Sequence, residues 1–390
     1  MDRRFLLRST LFGAATASGA GALHFGRLAD NPGEGPNPPA FGIVPVVGDG
    51  KWIWTKAPKE KGYLEPRTYE LKVGMQLRGT GPATGIKATT VAPVQLPEQT
   101  IDSVSVHTDS CRARLRQLTP EAGQLLLRAN SLRAGQVIGA YAHYRITVRK
   151  DFRGFARDQF PYRQEFPKAF RKRYLYDSPG IQTRFKLVKE TAAKVAANHA
   201  HPWDQAKAFH SWVWENIRGR IQNYSSVVRA LKDRVGDCEE RAAVFVAFCR
   251  ASGIPARLVW VPNHNWAEFL LRDHEGKGHW IPCHTSCYSW FGWTGAHELV
   301  LQKGDSIRAP EKRRPYRLLA DWMQGMGKLP QVRYFAELTP LPPQPGVDPG
   351  PGGRSKDAQG KWLVTHRHPL DHYLRGGAKS DQKPPRKLSG

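Results

Sequence analysis

The sequence predicts an α+β protein in which an all-β, sandwich-like segment precedes a core that mixes helices with strands. Three observations carry this. Residues 63–150 hold short runs of β-branched and aromatic residues, at 69–73, 103–106 and 144–148, punctuated by Gly and Pro. That is the pattern of successive strands. Residues 183–218 place Ala206, Phe209, Val213 and Ile217 at helical spacing, with Trp212 beside them, and residues 237–252 place Ala242, Phe245, Val246 and Cys249 at i, i+3, i+4 and i+7. Both are apolar stripes of helices facing a core. Residues 256–285 then return to strand-like runs, broken by a turn at Glu275, Gly276, Lys277 and Gly278.

Each end of the chain reads differently from its middle. The opening Asp2-Arg3-Arg4-Phe5-Leu6-Leu7-Arg8 leads into a weakly apolar stretch from Thr10 to Leu23, with small residues at Ala20 and Ala22. A charged start, a short apolar middle and small residues near a cut are the layout of a signal peptide, and the arginine pair marks it as twin-arginine-type. Residues 1–29 are therefore expected to be an export signal, and the location periplasmic or secreted in a bacterium. Residues 30–62 have linker composition. Residues 341–390 carry Pro342, Pro343, Pro345, Pro349 and Pro351 amid Gly, with an excess of Lys and Arg, and are expected to be a disordered basic tail.

Composition narrows the function classes. Of 390 residues, 40% are hydrophobic and 24% charged, enough apolar residue to bury a real core. With 59 Lys and Arg against 34 Asp and Glu the formal charge is +25. Such a charge suits anionic partners, an acidic envelope polymer among them, without choosing one. No segment resembles a nucleic-acid reading module, so no nucleic acid is expected, and no glycine-rich phosphate loop occurs. No run reaches the roughly 18 apolar residues of a membrane-spanning helix. Five cysteines exclude a disulfide-dense scaffold.

The residues with most chemical promise lie at 235–257. Gly236 and Asp237 stand where the second helix starts, Glu239 and Glu240 fall in its first turn, and Gly253 and Pro255 stop it. Cys238 is thus expected at a helix N-terminus. Free backbone N–H groups there favour a thiolate and can hold an oxyanion. Cys249 belongs to the apolar stripe and is expected to be an inert core thiol. A cysteine nucleophile needs a base. His264 begins the run 264–271, and His284 lies on the next run, 279–285. Joined by a tight turn, these would be antiparallel neighbours, bringing His284 within a few residues of His264 across the pair.

Gly236-Asp237-Cys238, the following helix to Cys249, Gly253-Ile254-Pro255-Ala256-Arg257, then His264-Asn265-Trp266-Ala267-Glu268 and Trp280-Ile281-Pro282 together resemble the transglutaminase-like superfamily, over roughly residues 185–301. The resemblance implies a papain-like fold for residues 151–340, with Cys238 as nucleophile, His264 as base and a third residue orienting the imidazole. It implies a cysteine enzyme acting on peptide or carboxamide bonds through a thioester, as protease, amidase or transglutaminase, with a protein or peptide substrate. The third position departs from the pattern: the family's usual Asp is replaced by His284, which cannot carry negative charge. Asp273, in the turn, and Glu268, about 13 Å along the strand from His264, are poor substitutes. The alternative is a non-catalytic module that binds an anionic polymer or protein.

The remaining constellations receive plainer readings. Cys283, His284 and Cys287, with His279 upstream, lack the spacing of a zinc knuckle and read equally as a local cysteine pair; no metal is assigned. No acidic calcium loop is present, and no cofactor is expected. Cys111 stands alone. Trp260, Trp266, Trp280, Trp290 and Trp293 read as packing residues or as the walls of a substrate groove.

Overall fold

The computed structural model describes residues 57–341, apart from 221, 223, 263, 287–289 and 320, together with the backbone of 23–24, 355–356 and 362–363. The expected signal segment, most of the expected linker and the expected basic tail lie outside the described residues.

After a two-residue strand at Leu23–His24, which pairs with the strand Gln331–Pro340, six strands follow: β1 (Gly62–Arg78), β2 (Ala83–Ala92), β3 (Gln99–Asp109), β4 (Arg112–Thr119), β5 (Ala122–Leu132) and β6 (Val137–Phe152). Five helices follow: α1 (Lys168–Tyr174), α2 (Lys186–Ala196), α3 (Pro202–Asn216), α4 (Val227–Asp233) and α5 (Cys238–Ala251). Strands β7 (Ala256–Val261), β8 (His264–Arg272), β9 (Gly278–Cys283), the short β10 (Gln302–Lys303), β11 (Trp322–Gly327) and β12 (Gln331–Pro340) complete it.

The strands of the β-rich part form because their apolar residues alternate. Tyr69, Leu71, Val73, Met75 and Leu77 of β1 and Ile138, Ala140, Ala142, Tyr144, Ile146 and Val148 of β6 are buried at every second position, the period at which side chains share one face of a strand. They pack with Ile86, Ala88, Leu125 and Leu127 as two facing layers. One layer runs β12–β1–β6–β3; the other runs β9–β8–β7–β10–β5–β2–β11, with β4 also paired to β5. The β-rich part is therefore not set apart. Through β10, whose Gln302 pairs with both Trp260 and Ala122, its second layer is continuous with the sheet of the core. The late strands β11 and β12 return to pair with β2 and β1.

Helix α5 is the axis of the helical half. The sequence predicts one buried stripe, yet all residues from Glu240 to Arg250 are buried. The helix lies between the sheet and helices α2, α3 and α4, so its remaining faces are covered as well. Its C-terminus stops as expected. Gly253 takes φ of +82°, a left-handed conformation that favours glycine, and the Ile254 amide donates to the Cys249 carbonyl at 2.8 Å. Buried Arg250 secures this end by donating to the Ala256 carbonyl at 2.7 Å and to both oxygens of Asp305 at 2.9 and 2.8 Å.

A buried ionic cluster ties the core sheet to the β-rich layers. Glu268 of β8 accepts from Arg257 of β7 at 2.7 Å and from Lys303 of β10 at 2.6 Å. Arg257 also reaches Glu121, between β4 and β5, at 3.3 Å. Burial alone would raise the Glu268 carboxyl, but Arg257 and Lys303 outweigh it and hold the group at about 2, below its ordinary 4.5. The stabilisation this contributes is complete above pH 4.5 and is lost as pH falls through about 2. Replacing Glu268 by Gln removes the counter-charge that Arg257 and Lys303 share, leaving each with one other carboxylate, Glu121 and Glu98, and is expected to cost no more than about 3 kcal/mol at neutral pH. In chemical denaturation the gap between wild type and Glu268→Gln should narrow steadily below pH 4.5; a gap independent of pH would exclude this role.

Candidate active site

Cys238 is the first residue of α5, and the residues before it fix it there. Asp237 is the N-cap: its side chain accepts from the Glu239 amide at 2.8 Å and the Glu240 amide at 3.4 Å, while Glu240 accepts from the Asp237 amide at 3.0 Å. This is a reciprocal capping box. Glu240 folds back so tightly that a Cβ on Gly236 would lie 2.5 Å from its Cβ, so only glycine fits there. Glu240 also accepts from the Ser225 amide at 2.8 Å, tying the helix start to the chain ahead of α4. Glu239 pairs with the buried Arg317.

This cap changes the expected electrostatics of the thiol. The N-terminal position predicts a lowered thiol pKa, but the structure puts it well above its ordinary value. Desolvation of the sulfur is the main cause, though the residue itself is only half-buried, and the acidic groups of Asp237, Glu239 and Glu240 add to it; a hydrogen bond donated by the Asn265 backbone amide acts the other way. Two of the amides expected to receive an oxyanion are also engaged, since Asp237 occupies those of Glu239 and Glu240.

The Asn265 amide belongs to the residue after His264, so the sulfur sits against the start of β8. Strands β8 and β9 are antiparallel as expected, with Ala267 opposite Cys283. His284 lies one residue beyond the end of β9, level with Trp266 and on the same face as His264. The two imidazoles meet: Nε2 of His264 is 3.0 Å from Nε2 of His284, with ring centroids 4.7 Å apart. The backbone of His284 is held on both sides. Its amide donates to the Trp290 carbonyl at 2.9 Å, and its carbonyl lies 3.2 Å from Nε2 of His210 in α3. Burial, with the Arg241 cation, lowers His284 to about 3, so it is a neutral ring at neutral pH. With its one proton on Nδ1, its Nε2 accepts the Nε2–H of His264.

The sequence reading missed Glu298. Its Oε1 lies 3.4 Å from Nε2 of His284, and donor atoms of His264, His284 and Glu298 all fall within 4.8 Å of one another. Burial pushes its carboxyl up to about 7, while the neighbouring His264 and the Trp266 indole act to lower it. Glu298 sits in an irregular segment after β9, where no spacing rule applies. Its one sequence signal is an acidic residue, next to His297, just ahead of the apolar run 299–301. The carboxylates already weighed stay elsewhere: Asp273 pairs with His279 at 2.7 Å, and Glu268 is committed to Arg257 and Lys303.

The remaining candidates separate. Cys249 and Cys283 are buried in the helical core, and the thiols of Cys111, Cys238, Cys249 and Cys283 are free. Cys287 lies outside the described residues. Cys283 faces the helices while His284 faces Glu298, as neighbouring strand positions must, so the pair cannot share a metal. Trp260, Trp266, Trp290 and Trp293 are buried and pack rather than line a groove. A cavity of about 810 Å³ bordered by Tyr63, Arg153, Arg257, Glu268, Trp280 and Lys303 contains none of Cys238, His264, His284 and Glu298.

Residues 189–285 match the transglutaminase-like superfamily, and the resemblance read from the sequence holds for this core. No curated protein matches the chain. Among solved structures, a candidate cysteine protease from Cytophaga hutchinsonii aligns at 13% identity and TM-score 0.47, over 72% of this chain and 99% of that one. A candidate protease from Parabacteroides distasonis aligns at 11% identity and TM-score 0.25, over 62% and 49%. No helix among the described residues is long and apolar enough to cross a membrane.

The thiol electrostatics can be measured directly. In a pH series of iodoacetamide labelling read by peptide mass, Cys238 should become reactive with a midpoint above the ordinary thiol value of 9.0. A midpoint below neutrality would mean that the Asn265 amide and the helix dipole outweigh burial and the three carboxylates.

Proposed function

We propose that the chain is a cysteine-dependent acyl-transfer enzyme acting on peptide or carboxamide bonds. The observation that carries this reading is the chain of contacts from Glu298 through His284 to His264, beginning one residue from the amide that binds the Cys238 sulfur. His264 has its Nε2 engaged by His284, which leaves Nδ1 to receive a proton. The Cys238 thiol passes its proton to that nitrogen as the sulfur attacks the carbonyl carbon, and the tetrahedral adduct collapses to a thioester. His264 returns the proton to the departing amine or ammonia. Water then completes hydrolysis, or an amine acceptor completes a transamidation. Since the thiol is held protonated, transfer accompanies attack rather than preceding it as a stored thiolate–imidazolium pair.

His284 acts as a neutral orienter, and Glu298 supplies the carboxylate that the family's usual third position lacks here. His284 fixes the ring of His264 through its Nε2, and the charge of Glu298, beside that same nitrogen, supports the positive charge that develops on His264. Cleavage of fluorescent casein and incorporation of a fluorescent amine into casein separate the two outcomes. Cys238→Ala is expected to abolish both, and His264→Ala to reduce the active one by about 10²–10⁴. Glu298→Gln and His284→Asn should lower kcat with KM little changed. A Cys238→Ala protein with full activity would sink the enzymatic reading.

A second reading, a non-catalytic module for an anionic polymer or protein, is favoured by a cavity of about 610 Å³ walled by Arg218, Arg220 and Arg229. It gains if Cys238 stays inert while triple replacement of these arginines removes binding to an anionic polymer such as heparin.

Export belongs to the same proposal, supported by Arg3, Arg4 and the apolar stretch behind them. Replacing both arginines by lysine in a full-length chain should shift the protein from the periplasmic to the cytoplasmic fraction on cell fractionation. An unchanged distribution would remove the twin-arginine route.

A further inference from the structure

We propose that His264, His284 and Glu298 form a binding site for one divalent transition-metal ion of the zinc class, and that filling it shuts the acyl-transfer centre. The switching half rests on His264 being the base; the binding half does not.

The three donors come from separate parts of the chain: the first residue of β8, the residue after β9 and the irregular segment beyond it. All three are buried, with 6%, 1% and 6% of their surface exposed. The two Nε2 atoms lie 3.0 Å apart, and Oε1 of Glu298 is 3.4 Å from that of His284. Zinc held at about 2.0–2.1 Å by tetrahedral ligands sets neighbouring donor atoms about 3.3 Å apart. Two of the three separations are already close to those between neighbouring corners of such a site, and all the donor atoms fall within 4.8 Å of one another.

The surroundings also favour a cation. Nδ1 of His284 is buried without a hydrogen-bond partner among the described residues, and Oε2 of Glu298 makes no hydrogen bond of full geometry there, with only the Trp266 indole beside the carboxyl, although such atoms are nearly always satisfied. No Lys or Arg pairs with Glu298 among the described residues, and the ring of His284 beside it is neutral at neutral pH. Two imidazoles and a carboxylate form a donor set suited to zinc, with a fourth position open. The cysteine-based grouping considered from the sequence does not compete, because Cys283 faces the opposite way.

The switch follows from imidazole chemistry. A neutral ring bound to metal through Nε2 carries its proton on Nδ1. The nitrogen that would accept the Cys238 proton is then occupied, and no bond to the sulfur is needed for inhibition.

Isothermal titration of the full chain with Zn²⁺ alone tests the site. One tight equivalent is expected, weakened by about 100-fold in Glu298→Gln and in His284→Asn and unchanged in Cys238→Ala; circular dichroism melts check that the variants fold. Iodoacetamide labelling of Cys238 in wild type should slow in proportion to occupancy. Absence of saturable binding, binding that survives both ligand substitutions, or binding lost only in Cys238→Ala overturns the site. Labelling that ignores bound zinc overturns the switch. Because titration requires no catalysis, a chain inert toward casein can still bind zinc, and an active chain that binds none retains the acyl-transfer reading alone.

Discussion

The candidate site depends on the register of one hairpin. Pairing Ala267 with Cys283 brings His284 level with Trp266 and sets His264 diagonally across on the same face. Diagonal neighbours in an antiparallel pair lie about 7–8 Å apart, within reach of two long side chains. A slip of one residue would turn His284 toward the helices and Cys283 toward Glu298. Several contacts guard against that slip: the buried triangle of Glu268, Arg257 and Lys303 midway along β8, and the doubly held backbone of His284 just beyond β9. The core side contributes as well, since Ala267, Phe269, Ile281 and Cys283 all pack beneath the sheet.

A second constraint acts on the sulfur. A helix start stabilises a thiolate only if the helix's own amides and dipole reach it with little opposition. Here the same residues that fix the start of α5 oppose it. Asp237 and Glu240 complete the capping box, occupy amides and bring acidic groups beside a half-buried cysteine. The result is a well-positioned but protonated thiol, whose activation must come from outside the helix. His264, His284 and Glu298 lie where such help would originate. Position and reactivity thus come from different parts of the chain.

The β-rich layers are part of the same structure as the core. β10 bridges β7 and β5, and the ionic cluster joins Arg257, Glu268 and Lys303 to Glu121 across the boundary. Strands β11 and β12, which follow the core in sequence, complete the layers that precede it. A change in the β-rich part can therefore reach the strand that carries His264 through direct hydrogen bonds rather than across a loose linker.

Much of this was legible in the sequence. Alternation announced the strands of 63–150, helical spacing announced α3 and α5, and Gly236-Asp237 with Gly253 and Pro255 marked the ends of α5. The antiparallel pairing of β8 and β9 followed from the turn between them, and with it the nearness of His264 and His284. These features are local, governed by periodicity and by what glycine, proline and a capping aspartate do to the backbone. Tertiary structure decided the rest. Whether the Cys238 thiol rises or falls in pKa depends on burial, which spacing does not report. That Glu298 joins His284 depends on the path of an irregular segment, where no period links sequence to position. The continuity of the two halves depends on strand pairings between residues far apart in the chain, which a local pattern cannot specify.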